Sequence, residues 1–234
     1  MKRFWDEARL DPQPEGFGIL LDGKPLRIPG GGPLLMPSPR LAAAVAAEWA
    51  AAGGGARGGE MSMAELPLTR LAGTAQERIA ADPAPMVEGL AKYAETDLLC
   101  YRAADEKLAA WQAAEWQPLL DWAALQHDAP LRVTTGIMPV PQDPLALAAL
   151  RRVVATLSPT ELVAMGVLVP AFGSLVLALA VVQGHIAAAE GHRLAILDET
   201  YQEEFWGLDA EAATRRQRIA EDVAVIARLL ELAA

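Results

Sequence analysis

The stretch YAETDLLCYR, Tyr93 to Arg102, places two tyrosines, two acids, an arginine and the chain's single cysteine within ten residues. The chemistry it could do is thiolate attack, which needs a base beside Cys100 to ionise the thiol. The histidines, His127, His185 and His192, all lie elsewhere in the sequence, and no local cysteine-hydrolase signature surrounds Cys100. A small buried thiol on a short strand LLCY, with Asp97 and Arg102 satisfying nearby polar groups, accounts for the same residues. His185 and His192 are seven positions apart and would share one helical face, with Asp198 and Glu199 further on. Gly184 and Gly191 weaken that helix, and HExxH is absent, so no metal site is expected. Asp198 and Glu199 are adjacent rather than opposed, which gives a general acid and base no geometry; they read as a solvated face.

Phosphate chemistry has no better footing. Gly53, Gly55 and Gly58 satisfy G-x-G-x-x-G, but the motif follows a helical pattern instead of a strand, and no glycine loop ends in lysine and serine or threonine. No catalytic residue and no cofactor is expected. A net charge of −10 over 234 residues disfavours nucleic acid and anionic lipid as partners. One cysteine forms no internal disulfide, and MKRFWDEARL lacks the apolar core of a secretory signal. A cytoplasmic protein is expected.

The elements that would position these residues fall into two parts. Phe17, Ile19 and Leu21 alternate with small residues, Asp22-Gly23 supplies a two-residue turn, and Leu26 and Ile28 alternate on the return, which predicts a β-hairpin. Pro25 and Pro29 restrict the return strand, the run LLMPS adds a short strand, and Pro39 opens an alanine-rich helix through Glu48 and Trp49. From Leu66 onward helix signals dominate. Asp105 caps a helix carrying Leu108, Trp111, Leu119 and Trp122, which Pro118 kinks or restarts. Leu162 to Val182 has no charge over nearly a bilayer's span, but Gly166, Pro170 and Gly173 divide it, so two short buried helices broken near Pro170 are expected instead of a membrane insertion. Leu194, Leu197, Tyr201 and Phe205 form one stripe of a later helix that Gly207 ends; Ile219, Val223, Ile226 and Leu230 form the stripe of the last one. The fold class is therefore α+β: a small antiparallel sheet with helices over 1–82, then a helical bundle over 83–234, divided near the proline-rich Ala81 to Pro85.

On a helical wheel Asp198, Glu199, Gln202 and Glu203 fall together, and Trp206 projects to their side. A tryptophan among carboxylates is costly to leave in water without use, and an aromatic anchor ringed by polar groups is what protein interfaces employ. These five residues, with Glu48 and Trp49, are the candidate partner-binding set. A tryptophan on an alanine-rich helix is also commonly core, and that reading stays ahead for Trp49.

Seven segments occur in order: RFW at Arg3, LDGKPL at Leu21, AAEW at Ala46, LPLTRLAGTA at Leu66, YAETDLLCYRA at Tyr93, QAAEWQPLLDWA at Gln112 and LDETYQEEFWGLD at Leu197. Together they resemble the alpha-subunit-specific assembly chaperones of the F-type ATP synthase catalytic head. The resemblance runs over nearly the whole chain. It implies a non-enzymatic chaperone that binds the unassembled alpha subunit and shields its assembly surface until the beta subunit replaces it. It also implies a β-containing N-terminal domain followed by a helical one. With MKRFW at the start and no arginine-rich presequence, the chain is expected to be bacterial and cytoplasmic. The departures from the family pattern are the glycine-rich GGGARGG and the short N terminus. Two other classes compete: a hydrolase or transferase using Cys100 with a histidine, and a general helical adaptor.

Overall fold

The computed structural model describes residues 1–207 and 209–234. Contacts group the chain into two compact units, Met1–Pro83 with Arg228–Ala234, and Ala84–Ala227.

In the first unit, β1 (Ala8–Gln13), β2 (Gly16–Leu21) and β3 (Lys24–Pro25) form an antiparallel sheet in that order, with Ala8 opposite Leu21 and Leu21 opposite Lys24. Asp22 at φ 47° and Gly23 at φ 78° make the left-handed turn that a two-residue hairpin requires. Asp22 also accepts from the amides of Asp6 and Glu7, at 3.0 and 2.9 Å, which ties the N-terminal segment to that turn. The return strand is shorter than its apolar alternation suggests, because Pro25 has no N–H to donate. Pairing resumes where the Leu26 amide donates to Ile19 at 2.8 Å, and the LLMPS run lies beside β2 through reciprocal 2.9 Å bonds between Phe17 and Met36.

Helix α1 (Pro39–Ala51) starts at its cap Ser38 with Pro39 in the first turn, and buries Leu41, Val45 and Trp49. The fully buried Trp5 ring lies 4.9 Å from that of Trp49, and its Nε1 donates to the Trp49 carbonyl at 3.1 Å. Arg3, also buried, closes the end of α1 by donating from Nη1 to the carbonyls of Ala50 (2.6 Å) and Ala52 (3.1 Å). The Gly53–Gly59 stretch is a loop of left-handed glycines that exchanges backbone hydrogen bonds with Arg3. Helix α2 (Pro67–Thr74) begins against the carboxylate of Glu48, which accepts from the amides of Leu68 and Thr69.

The second unit holds α3 (Ala84–Ala91), β4 (Tyr101–Arg102), α4 (Glu106–His127), β5 (Thr134–Thr135), α5 (Pro144–Ala155), α6 (Pro159–Phe172), α7 (Leu175–Val182), α8 (Ala188–Ala195), α9 (Leu197–Trp206) and most of α10 (Ala210–Ala233). Helix α3 packs on α5 and α6, and α4 on α7 and α9. Strands β4 and β5 pair in parallel. Leu98–Cys100 is a 3₁₀ turn, not a strand; the pairing starts only at Tyr101. Pro118 stays within a continuous α4.

The apolar run Leu162 to Val182 is two buried helices, as its glycines imply. The break falls at Gly173 (φ 64°) and Ser174, with Pro170 retained inside α6. Among the described residues no helix is long and apolar enough to cross a membrane. In α10 the buried positions are Val223, Ile226 and Leu229; Ile219 and Leu230 are only half-buried, so the stripe is narrower and turned from the one the periodicity suggests.

Candidate functional site

The Tyr93–Arg102 segment is a junction in the second unit. Asp97, fully buried, accepts from the Ser174 hydroxyl at 2.7 Å and from the amides of Val176 and Leu99 at 3.0 Å each. It thereby satisfies the first turn of α7 at the Gly173–Ser174 break. Burial pushes its carboxyl up, and the hydroxyl and amides oppose that shift. Arg102 donates to the carbonyls of Leu99 and Tyr101, both at 2.7 Å, and its guanidinium stands 5.8 Å from the Trp116 ring centroid. Cys100 is buried, and desolvation, reinforced by the Asp97 charge, pushes its thiol up to about 12. Such a thiol is the opposite of an activated nucleophile.

The histidines are engaged elsewhere. His185 lies outside α8 and stacks on Trp122 at 4.8 Å, and His127 meets the edge of the same ring at 4.9 Å. His192 is on α8, so it does not share a helical face with His185. Among the described residues no three His, Cys, Asp or Glu side chains come together as a metal-binding group.

The acidic helix is built differently from the wheel. The pattern from Leu194 to Phe205 is two helices broken at Ile196, so Leu194 belongs to α8, and Leu197 and Tyr201 are the buried residues of α9. Phe205, placed by periodicity on the buried stripe, is 60% exposed, and Trp206 is 88% exposed. Nor do the carboxylates form one solvated face. Asp198 accepts from Gln112 Nε2 at 2.7 Å, which fixes the first turn of α9 to α4. Glu199 accepts from Arg215 at 2.9 Å and lies 3.6 Å from Arg216 Nη1, and Glu203 pairs with Arg216 Nη2. Arg216 is nearly out of solvent between the two acids. Of the set, the uncharged Gln202 and Trp206 stay open. His192 is part of the same group: burial and the Arg216 charge lower its pKa while Glu199 opposes them.

What α9 leaves uncovered is aromatic. Trp111, Tyr201 and Phe205 form a ladder with centroids 6.2 and 5.0 Å apart, and Lys107 Nζ lies 5.5 Å from the rings of both Tyr201 and Phe205. The Tyr201 hydroxyl donates to Asp105 at 2.9 Å, the same carboxylate that caps α4, so the ladder's base is fixed. Glu48 and Trp49 lie in the first unit and are committed there: Glu48 to the start of α2, Trp49 in the core with Nε1 donating to Thr69 Oγ1 at 3.0 Å.

Gln112, Lys107, Arg215 and Arg216 were not singled out by the sequence reading. Gln112 sits in the buried stripe of α4 between Leu108 and Trp116, where a polar residue interrupts the apolar pattern. The paired Arg215-Arg216, which follow Glu199 and Glu203 by 16 and 13 residues, were the available signal for the α9–α10 pairing.

The chain as a whole is similar to known proteins. The family described as ATP12 chaperone protein matches residues 2–124. Atp12 from Paracoccus denitrificans, and an aspartate-to-lysine mutant of it, are each 41% identical to this chain, with a TM-score of 0.92 over 100% of this chain and 98% of theirs. A candidate chaperone from Agrobacterium tumefaciens is 36% identical, with a TM-score of 0.89 over 100% of this chain and 86% of its own. The fold, a small antiparallel sheet followed by helices, agrees with that of Paracoccus Atp12, and the chain belongs to the ATP12 chaperone family, the one its motifs resemble.

Proposed function

We propose that this protein is an assembly chaperone of the ATP synthase catalytic head, working in the bacterial cytoplasm, that binds the free alpha subunit and covers its assembly surface until the beta subunit replaces it. Family membership supports the chaperone part of this reading. The observation that carries the binding part is the exposed Phe205–Trp206 pair at the end of a helix whose other side chains are held by Gln112, Arg215 and Arg216. Uncovered aromatic side chains bury large area for few rotatable bonds when they dock, which is how interface anchors gain affinity.

On this reading the Glu199, Glu203, Arg215 and Arg216 cluster holds the corner in shape, Asp198 holds α9 to α4, and Gln202 and Trp206 face the partner. Glu48 and Trp49 support the first unit. Release needs no covalent or nucleotide-driven step, only a partner that competes for the same surface on alpha. The test is co-purification with alpha and beta subunits from the same organism, each expressed alone and then mixed. A complex with alpha that dissolves on adding beta is the expected result. Failure to retain alpha would overturn the proposal, and equal retention of unrelated unfolded proteins would replace it with a general adaptor.

A further inference from the structure

The first unit carries a cavity of about 340 Å³ between the β1–β2 hairpin and the segment Pro33–Leu35. That is at the small end of the ~300–1,000 Å³ usual for ligand pockets. Its floor is apolar, from Ile19, Leu26, Leu34 and Leu35. Gly18 lines it without a side chain, and a Cβ there would come into contact with the Leu35 side chain at 3.5 Å. Pro14, Pro25 and Pro33 stand in the walls and offer no N–H of their own. The charged groups of the lining are Asp11 and Glu15, both acidic, with the Gln13 amide between them donating to Asp11 at 2.6 Å. Among the described residues neither carboxylate enters an ion pair.

A narrow apolar slot with two unpaired carboxylates at its mouth fits one kind of side chain, a methylene stem ending in a cation. We infer that this cavity receives a lysine or arginine from an extended segment of the protein that the chaperone holds, its stem against Leu35, the half-open apolar side chain of the lining, and its charged head at Asp11 and Glu15. The inference rests on the chaperone reading above for the identity of that protein, but the slot itself lies in the first unit and uses none of the α9 residues.

Two measurements separate the slot from the reading it rests on. In the full chain, backbone amide resonances of Gly16, Gly18 and Leu35 are followed by NMR during titration with a short leucine-lysine-leucine peptide, and with the same peptide acetylated on the lysine. Saturable shifts with the first and not the second are expected, weakened about tenfold or more in Asp11→Asn/Glu15→Gln, a change of about 1.4 kcal/mol. No shifts, or equal shifts with the acetylated peptide, would overturn the slot. Retention of the alpha subunit is then compared between the wild type and Asp11→Lys/Glu15→Lys, with loss expected in the variant at unchanged melting temperature. Undiminished retention would also overturn the slot as a client site. Peptide shifts in a protein that retains no alpha would sink the chaperone reading and leave the slot as a site for basic segments of another protein.

Discussion

Arg215 Nη2 donates to Glu199 Oε1 at 2.9 Å, so the acidic helix and the arginines of the next helix neutralise one another within the same unit. The consequence for mutagenesis is a separation of roles between charge and aromatic surface. Trp206→Ala removes a side chain that is 88% exposed and should leave the melting temperature unchanged. Retention of the alpha subunit should fall about tenfold or more, the loss expected of an interface anchor. Equal binding by the variant would remove Trp206 from the proposed surface.

Glu199→Lys behaves differently, because the new ammonium faces Arg215 and Arg216. Like charges at that spacing should loosen the α9–α10 pairing and lower thermal stability as well as binding. Arg216→Ala should show the same stability loss, since Glu199 and Glu203 are then left beside each other. The effect should stay below the ~3–5 kcal/mol of a fully buried pair, because the glutamates keep part of their hydration. Denaturant melts of the two variants check this, and a wild-type midpoint in both would show the cluster to be structurally idle.

Asp97 is the second-unit residue whose loss should be felt most. Asp97→Ala would leave the Ser174 hydroxyl and the amides of Leu99 and Val176 buried without an acceptor. About 3 kcal/mol or more of stability should be lost. Asp97→Asn keeps the shape but turns an N–H₂ towards donors, so it should fall between wild type and alanine. Urea unfolding followed by tryptophan fluorescence orders the three proteins, and an alanine variant as stable as wild type would show that water satisfies those groups.

How much of the fold was legible in the sequence differs from element to element. The Asp22-Gly23 turn was legible because the turn type demands left-handed residues, and the two-helix nature of Leu162 to Val182 was legible from Gly166, Pro170 and Gly173, although the break falls at Gly173 and not near Pro170, which α6 retains. Strand β1 was not, since Arg9, Asp11 and Pro12 spoil its alternation and its identity comes from pairing with β2. The acidic face of α9 was legible as a cluster but not as a clasp. A helical wheel shows which side chains share a direction, and only the packing of α10 shows that Arg215 and Arg216 lie in that direction. Phe205 was misplaced for a related reason: the stripe from Leu194 is interrupted at Ile196, which shifts the phase of everything after it.

Acid should destabilise the second unit through its histidines. Burial lowers the pKa of both His127 and His192, with the Arg216 charge adding to the effect at His192. A histidine whose folded value lies below its unfolded value of 6.5 binds protons less well in the native state. Its contribution to stability is therefore complete above that unfolded value and is lost as pH falls through the folded one. Melting temperature should drop as pH falls below about 6.5, and His192→Asn should flatten part of that slope. Asp97 acts with the opposite sign: its raised value means that its linkage term favours the native state at low pH and fades as pH rises. A slope unchanged by His192→Asn would assign the acid sensitivity to His127 or to carboxylates.

Cys100 offers the sharpest test of whether the Tyr93–Arg102 segment does any chemistry. With the thiol pushed up to about 12, only about one molecule in ten thousand carries a thiolate at pH 8, and the sulfur is buried as well. Native protein should therefore react with a chromogenic disulfide reagent at a rate set by local opening of the fold, and at once after unfolding in denaturant. Cys100→Ala should cost less than ~1.5 kcal/mol, because it removes one small buried atom group, and should leave retention of the alpha subunit as it is. Fast stoichiometric labelling of the folded chain, steepening with pH near neutrality, would mean an accessible, activated thiol. That outcome would make the segment a catalytic candidate after all.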